Sequence, residues 1–102
     1  MTRVNKMASL KHLGSLHGQG GLSIGKGASS LGLVRYEIDG YRERTRRFAN
    51  GQVEGDVSLL EKAFRAGGAV IALAEGPLVD IVLSDPEGGP TAEIVISGRS
   101  PW

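Results

Sequence analysis

The side chains with the clearest chemical potential in this chain are a group of arginines near its middle, flanked by the aromatic residues Tyr36 and Phe48. Guanidinium groups bind carboxylates and phosphates, and aromatic rings beside them can stack on nucleic-acid bases. The group therefore predicts a surface for an anionic partner, which is either an acidic protein surface or nucleic acid. A solvated strand face with no partner is the alternative. The predicted partner-binding residues are Arg35, Arg42, Arg44, Arg46, Arg47 and Tyr41.

Other groups with chemical potential lack the neighbours that their chemistry requires. Gly20 to Gly27 matches part of the phosphate-loop pattern, but Gly27 stands where a magnesium-binding hydroxyl is needed, and no apolar strand precedes the loop. His12 and His17 have no nearby acid to complete a metal site. No serine has a histidine placed by sequence to activate it, and the acids around residues 80–93 lack a defined cleft. We therefore predict no catalytic residue, no cofactor and no metal, with a small enzyme as the least favoured class.

Composition limits the environment of the protein. The 102 residues include no cysteine, which excludes disulfides and thiol chemistry and favours a reducing cytoplasm. No apolar run approaches the ~20 residues of a membrane-spanning helix, so we expect no membrane partner. Residues 1–47 carry nine Lys or Arg against three acids, whereas residues 48–102 carry three against eight. Such a division predicts an anionic partner, or two halves that attract each other within one fold or across a homo-oligomer.

The arginines fall on a predicted β-hairpin. Residues 31–38 alternate apolar and polar side chains, as a half-buried strand does, and Asp39-Gly40 is a favoured tight turn. Residues 41–48 would then return antiparallel and place Arg42, Arg44 and Arg46 in one row on one face. Asn50-Gly51 is a second turn signal, at which the hairpin would close instead if the first strand ran through Gly40.

A helix and three further strands follow. Ser58 and Glu61 have the spacing of a capping box, Gly67 supplies a stop, and the helix is predicted from about Val57 to Ala66 with Phe64 in the core. Residues 69–75, 78–84 and 91–97 are predicted strands separated by glycine and proline turns. The fold class is therefore α+β, a small antiparallel sheet or barrel of about five strands in the order β-β-α-β-β-β with one helix.

The two ends of the chain are expected to differ from this core. Seven glycines between Gly14 and Gly32 predict a flexible or partner-ordered arm over residues 1–30, before a compact β-rich domain over residues 31–102. Trp102 is expected to be a frayed end, or otherwise an anchor on the domain or on a partner. We interpret the whole as a non-enzymatic interaction module, namely an adaptor, an inhibitor or an assembly subunit that docks on an acidic protein surface or an assembly neighbour. Nucleic acid is the alternative partner.

Overall fold

Six antiparallel strands close into a barrel in the computed structural model of this protein, which describes residues 10–25 and 30–102. Around the barrel the strands follow the order β1-β2-β3-β6-β5-β4, and β4 pairs with β1 to complete the closure. The elements are β1 (Leu10–Ser23), β2 (Ser30–Glu43), β3 (Arg46–Glu54), α1 (Val57–Arg65), β4 (Ala69–Ala72), β5 (Leu78–Leu83) and β6 (Thr91–Ile96).

Alternating side chains explain why the later strands pack as they do. In β5, Val79, Ile81 and Leu83 are buried while the residues between them are exposed. This two-residue period is what a strand with one face on the core requires. The prediction of a β-rich fold with one helix is confirmed, and the count of about five strands is wrong because β1 was assigned to the arm.

The helix α1 packs its buried residues into the same core as the inward-facing strand residues, and its bounds agree with the prediction. Its N-cap is Asp56, whose carboxylate accepts hydrogen bonds from the Ser58 backbone N–H at 2.8 Å and from the Ser58 hydroxyl at 2.6 Å. The capping box predicted from Ser58 and Glu61 is therefore wrong, because Ser58 lies inside the first turn. Among the described residues no helix is long and apolar enough to cross a membrane.

The buried face of α1 also differs from the prediction. Leu60 and Ala63 are fully buried and Leu59 nearly so, whereas Phe64 is 37 % exposed and Val57 is 39 % exposed. The placement of Phe64 in the core is therefore wrong. Because Leu59 faces the barrel, the buried face of α1 is rotated about the helix axis relative to the predicted face, and Phe64 lies at its margin.

The glycine-rich segment differs most from what the sequence predicts. Residues 10–23 form β1, which pairs with β2 along its length and with β4 at residues 21–23. The remaining residues of the expected arm, 1–9 and 26–29, lie outside the described residues. Glycine recurs in β1 where another part of the chain approaches closely, as at Gly20, where a Cβ would lie 2.1 Å from the Ala72 carbonyl oxygen.

The hairpin between β2 and β3 turns at neither predicted dipeptide. It closes at Arg44 and Thr45, with Arg44 in the left-handed region at a φ of 58°. Asp39 pairs with Asn50 inside the ladder. Gly51 permits close strand contact there, since a Cβ on it would lie 1.8 Å from the Glu37 carbonyl oxygen. The strand running through Gly40 agrees with the alternative hairpin, but the turn at Asn50-Gly51 does not.

Part of the sheet projects beyond the closed barrel. β4 pairs with β1 only at residues 21–23, and β6 pairs with β3 only at residues 50–54, so the far ends of β1, β2 and β3 continue as a three-stranded sheet. We call residues 10–17, 37–43 and 46–49 the strand extension. Its inner face is the side continuous with the barrel interior, and its outer face is the opposite side. The described part of the molecule measures 54 × 29 × 21 Å.

Candidate docking surface on the strand extension

The strand extension ends in a cluster of cations from three strands. The pairing register places Lys11 opposite Arg42, and Arg42 opposite Arg47. These residues alternate with outward ones, so the three side chains form one cationic row on the inner face. Arg46 belongs to the outer face and Arg44 to the turn. We call these five residues, Lys11, Arg42, Arg44, Arg46 and Arg47, the basic tip.

The predicted row of Arg42, Arg44 and Arg46 is therefore wrong in its geometry. A straight return strand from Asp39-Gly40 would have aligned them, but the actual turn intervenes and sends Arg42 and Arg46 to opposite faces. Arg35 does not join the cluster. It lies on the outer face opposite Glu54, seven residues or roughly 23 Å along β2 from Arg42. There it lines a shallow groove of about 400 Å³.

No Asp or Glu side chain among the described residues forms an ion pair with a cation of the basic tip. In the residues that the structure describes, Arg65 forms an ion pair with Glu61, and the His12 ring lies within ion-pair distance of Asp39. Glu43 lies opposite Arg46 in the ladder but makes no ion pair with it. The positive charge at this end of the molecule is therefore available to an external anion.

Aromatic side chains occupy the outer face behind the tip. The ring centroids of His12 and Tyr41 lie 5.4 Å apart, and those of Tyr41 and Phe48 lie 5.5 Å apart with nearly parallel planes. The Arg46 guanidinium carbon is 5.5 Å from the Phe48 centroid. Tyr41, one of the predicted site residues, therefore has a ring on each side. Cross-strand stacking of this kind stabilises the sheet.

A polar network that the sequence does not reveal ties β1 to β2 on the same face. The His12 Nε2 atom lies 3.0 Å from Asp39 Oδ1, and the Ser15 hydroxyl donates to the same oxygen. An extra residue at Leu13 shifts the register between His12 and Gly14. This bulge brings His12 and Ser15, three residues apart, to one side of the strand.

The network has the residue types of a hydrolase triad but not the geometry. In a triad the histidine uses one ring nitrogen for the serine and the other for the carboxylate. Here Nε2 faces both groups, at 3.3 Å from the Ser15 oxygen, and the Ser15 proton is donated to Asp39. The arrangement binds the strands together rather than preparing a nucleophile. The described residues also hold no cluster of three metal-ligating side chains.

Ser15→Ala is expected to raise the pKa of Asp39. Hydrogen bonds from Ser15 first, and from His12 second, hold this pKa below its ordinary value of 3.8. A carboxyl group whose pKa is lowered by folding stabilises the folded state at pH values above its pKa in the unfolded state. This contribution is lost as the pH falls through the pKa of the folded state. A carboxyl-carbon NMR titration should show the rise. Asp56 is the control, because its lowered pKa depends on Ser58; an unchanged Asp39 would contradict the hydrogen bond.

Trp102 lies against the inner face of the extension, next to the cationic row. Gly14 and Gly40 face each other across β1 and β2, and a Cβ on Gly40 would lie 2.3 Å from indole carbon Cε3. The Arg47 Nη1 atom donates to a backbone oxygen of Trp102 at 3.2 Å. The expectation of a frayed end is therefore wrong, and the alternative of an anchor on the domain is confirmed.

The chain matches no protein-family model, and no curated protein or solved structure gives a significant match.

Proposed function

We propose that this protein is a non-enzymatic interaction module that docks on an acidic protein surface through the basic tip. The observation that carries the proposal is the gathering of five cations from three strand ends and a turn, none in an ion pair among the described residues. Such a concentration of positive charge speeds encounter with an acidic surface and disfavours basic ones. The small, cysteine-free chain is consistent with a cytoplasmic adaptor, inhibitor or assembly subunit.

The outer face favours a protein partner over nucleic acid. Binding of single strands relies on aromatic faces that are free to take bases. On this face Tyr41 is flanked by His12 and Phe48, and the Arg46 guanidinium lies over the Phe48 ring. The rings are engaged with one another and with Arg46, whereas Arg44 and Arg46 are exposed, which suits carboxylates on a folded surface.

Charge reversal of the inner-face arginines tests the proposal. We expect the double substitution Arg42→Glu and Arg47→Glu to abolish capture of an acidic protein from nuclease-treated lysate of the source cells. The matched control is Lys62→Glu with Arg65→Glu, which changes the charge equally at exposed positions on α1. Thermal melts would show that both variants fold.

Three results would decide the matter. Loss of capture in the tip variant alone, repeated with the purified partner, would support docking through the tip. Equal capture by wild type and both variants would refute it. If the captured material is nucleic acid that nuclease removes, with binding that falls steeply as salt rises, the partner is nucleic acid instead.

A further inference from the structure

The inner face of the extension is already occupied by a segment of this chain. Small residues of the three strands line up in one row, because Gly14 is opposite Gly40 and Gly40 is opposite Ala49. The Trp102 indole covers the two glycines, where an added Cβ would lie 2.7 Å from its Nε1 atom at Gly14 and 2.3 Å from Cε3 at Gly40. The row is therefore shaped to receive a flat aromatic ring.

The cationic row lies immediately beyond this ring site on the same face. Lys11, Arg42 and Arg47 form the next inward-facing row after the two glycines and Ala49. Arg47 connects the two rows, since it donates a hydrogen bond to a backbone oxygen of Trp102. An aromatic ring on the glycines thus places neighbouring oxygen atoms within reach of the cations.

We infer that the acidic partner presents an aromatic side chain within an acidic segment, and that this segment displaces Trp102 from the inner face. The inference rests on the proposed docking function and adds the chemistry of the partner. Trp102 acts as an internal substitute: its ring fills the small-residue row and its backbone oxygen takes one donor of Arg47. A partner segment with carboxylates on both sides of its ring satisfies Lys11 and Arg42 as well, which Trp102 does not.

Competition between the two aromatic segments gives the test. The probes are two fluorescein-labelled poly-glutamate peptides, one with a central tryptophan and one with alanine in its place, and binding is measured by fluorescence anisotropy at low salt. Trp102→Ala should bind the tryptophan peptide about tenfold more tightly than wild type does, because no internal ring must leave. It should bind the alanine peptide several-fold less tightly than the tryptophan peptide.

A second variant separates recognition of the peptide ring from removal of the Trp102 ring. Gly40→Ala places a methyl group where the indole lies, so we expect it to expel Trp102 and also to reject the peptide ring. Its affinities for the two peptides should be equal, and its own tryptophan emission should shift to longer wavelength. Gly68→Ala is the matched control, because the added methyl meets only the Ile81 carbonyl oxygen at 3.5 Å.

The outcomes distinguish this inference from the function on which it rests. If Trp102→Ala binds both peptides equally, acidic docking stands and the aromatic requirement is overturned. If wild type and Trp102→Ala bind the tryptophan peptide equally, Trp102 does not compete and the displacement is overturned. If no variant binds either peptide, docking on acidic segments is itself refuted, and the inference with it.

Discussion

Gly20→Ala is expected to destabilise the protein by at least about 3 kcal/mol, because it forces apart the strands that close the barrel. A Cβ at Gly20 would lie 2.1 Å from the Ala72 carbonyl oxygen and 3.1 Å from a methyl group of Ile71. The nearest atom is backbone, so it cannot rotate away. β1 and β4 pair over only residues 21–23 and 70–72, and this short seam adjoins the clash. Urea unfolding monitored by circular dichroism would measure the loss.

The neighbouring glycine provides a matched control for that experiment. Gly21 has its added Cβ 3.1 Å from the Ser30 hydroxyl, which is the end of a side chain that can rotate. Gly21→Ala should therefore change the free energy of unfolding by less than about 0.5 kcal/mol, since alanine also restricts the unfolded chain. Equal losses of unfolding free energy in the two variants would show that β1 requires glycine for backbone flexibility and not for the close contact at Gly20.

Leu60→Ala is expected to cost about 3 kcal/mol, and Phe64→Ala only about 1 kcal/mol, although phenylalanine is the larger residue. Leu60 is fully buried where α1 packs on the barrel, whereas Phe64 is 37 % exposed. Truncation of Leu60 removes apolar contacts and leaves a cavity, while the space left by Phe64 is open to water. Equilibrium unfolding of the two variants would test the assignment of the helix face. A larger loss for Phe64→Ala would restore the face predicted from sequence.

Local patterns were sufficient to predict the helix and strands of the second half of the fold, but not the cap or the buried face of α1. The stop at Gly67 and the alternation in residues 78–83 and 91–96 are properties of neighbouring residues, and the structure contains the helix and the strands that they predict. The helix N-cap was missed by two positions because Asp56 and Ser58 both have cap chemistry, and only the backbone angles of Asp56 select it. The concentration of arginines in residues 35–47 is likewise a property of the sequence, whereas their arrangement on the strands is not.

The site required information that no local pattern carries. His12, Ser15 and Asp39 meet only because a bulge at Leu13 and a register shared by strands far apart in sequence bring them to one face. The turn at Arg44 carries no glycine, asparagine or aspartate to mark it. The turn lies five residues beyond Asp39-Gly40, so Arg42 belongs to β2 and Arg46 to β3. The pairing of Arg42 with Arg47, and of Glu43 with Arg46, then places Arg42 and Arg46 on opposite faces.

The sequence by itself determined a small β-rich fold with one amphipathic helix and a strongly basic segment, because these depend on the order and spacing of adjacent residues. The tertiary structure alone decided that glycines in residues 10–23 make contacts rather than a loose arm. It also decided that Trp102 lies on Gly14 and Gly40, and that Lys11, Arg42 and Arg47 form one row. The physical reason is that glycine is equally suited to flexibility and to close approach, and only the position of the opposing strand or ring distinguishes the two.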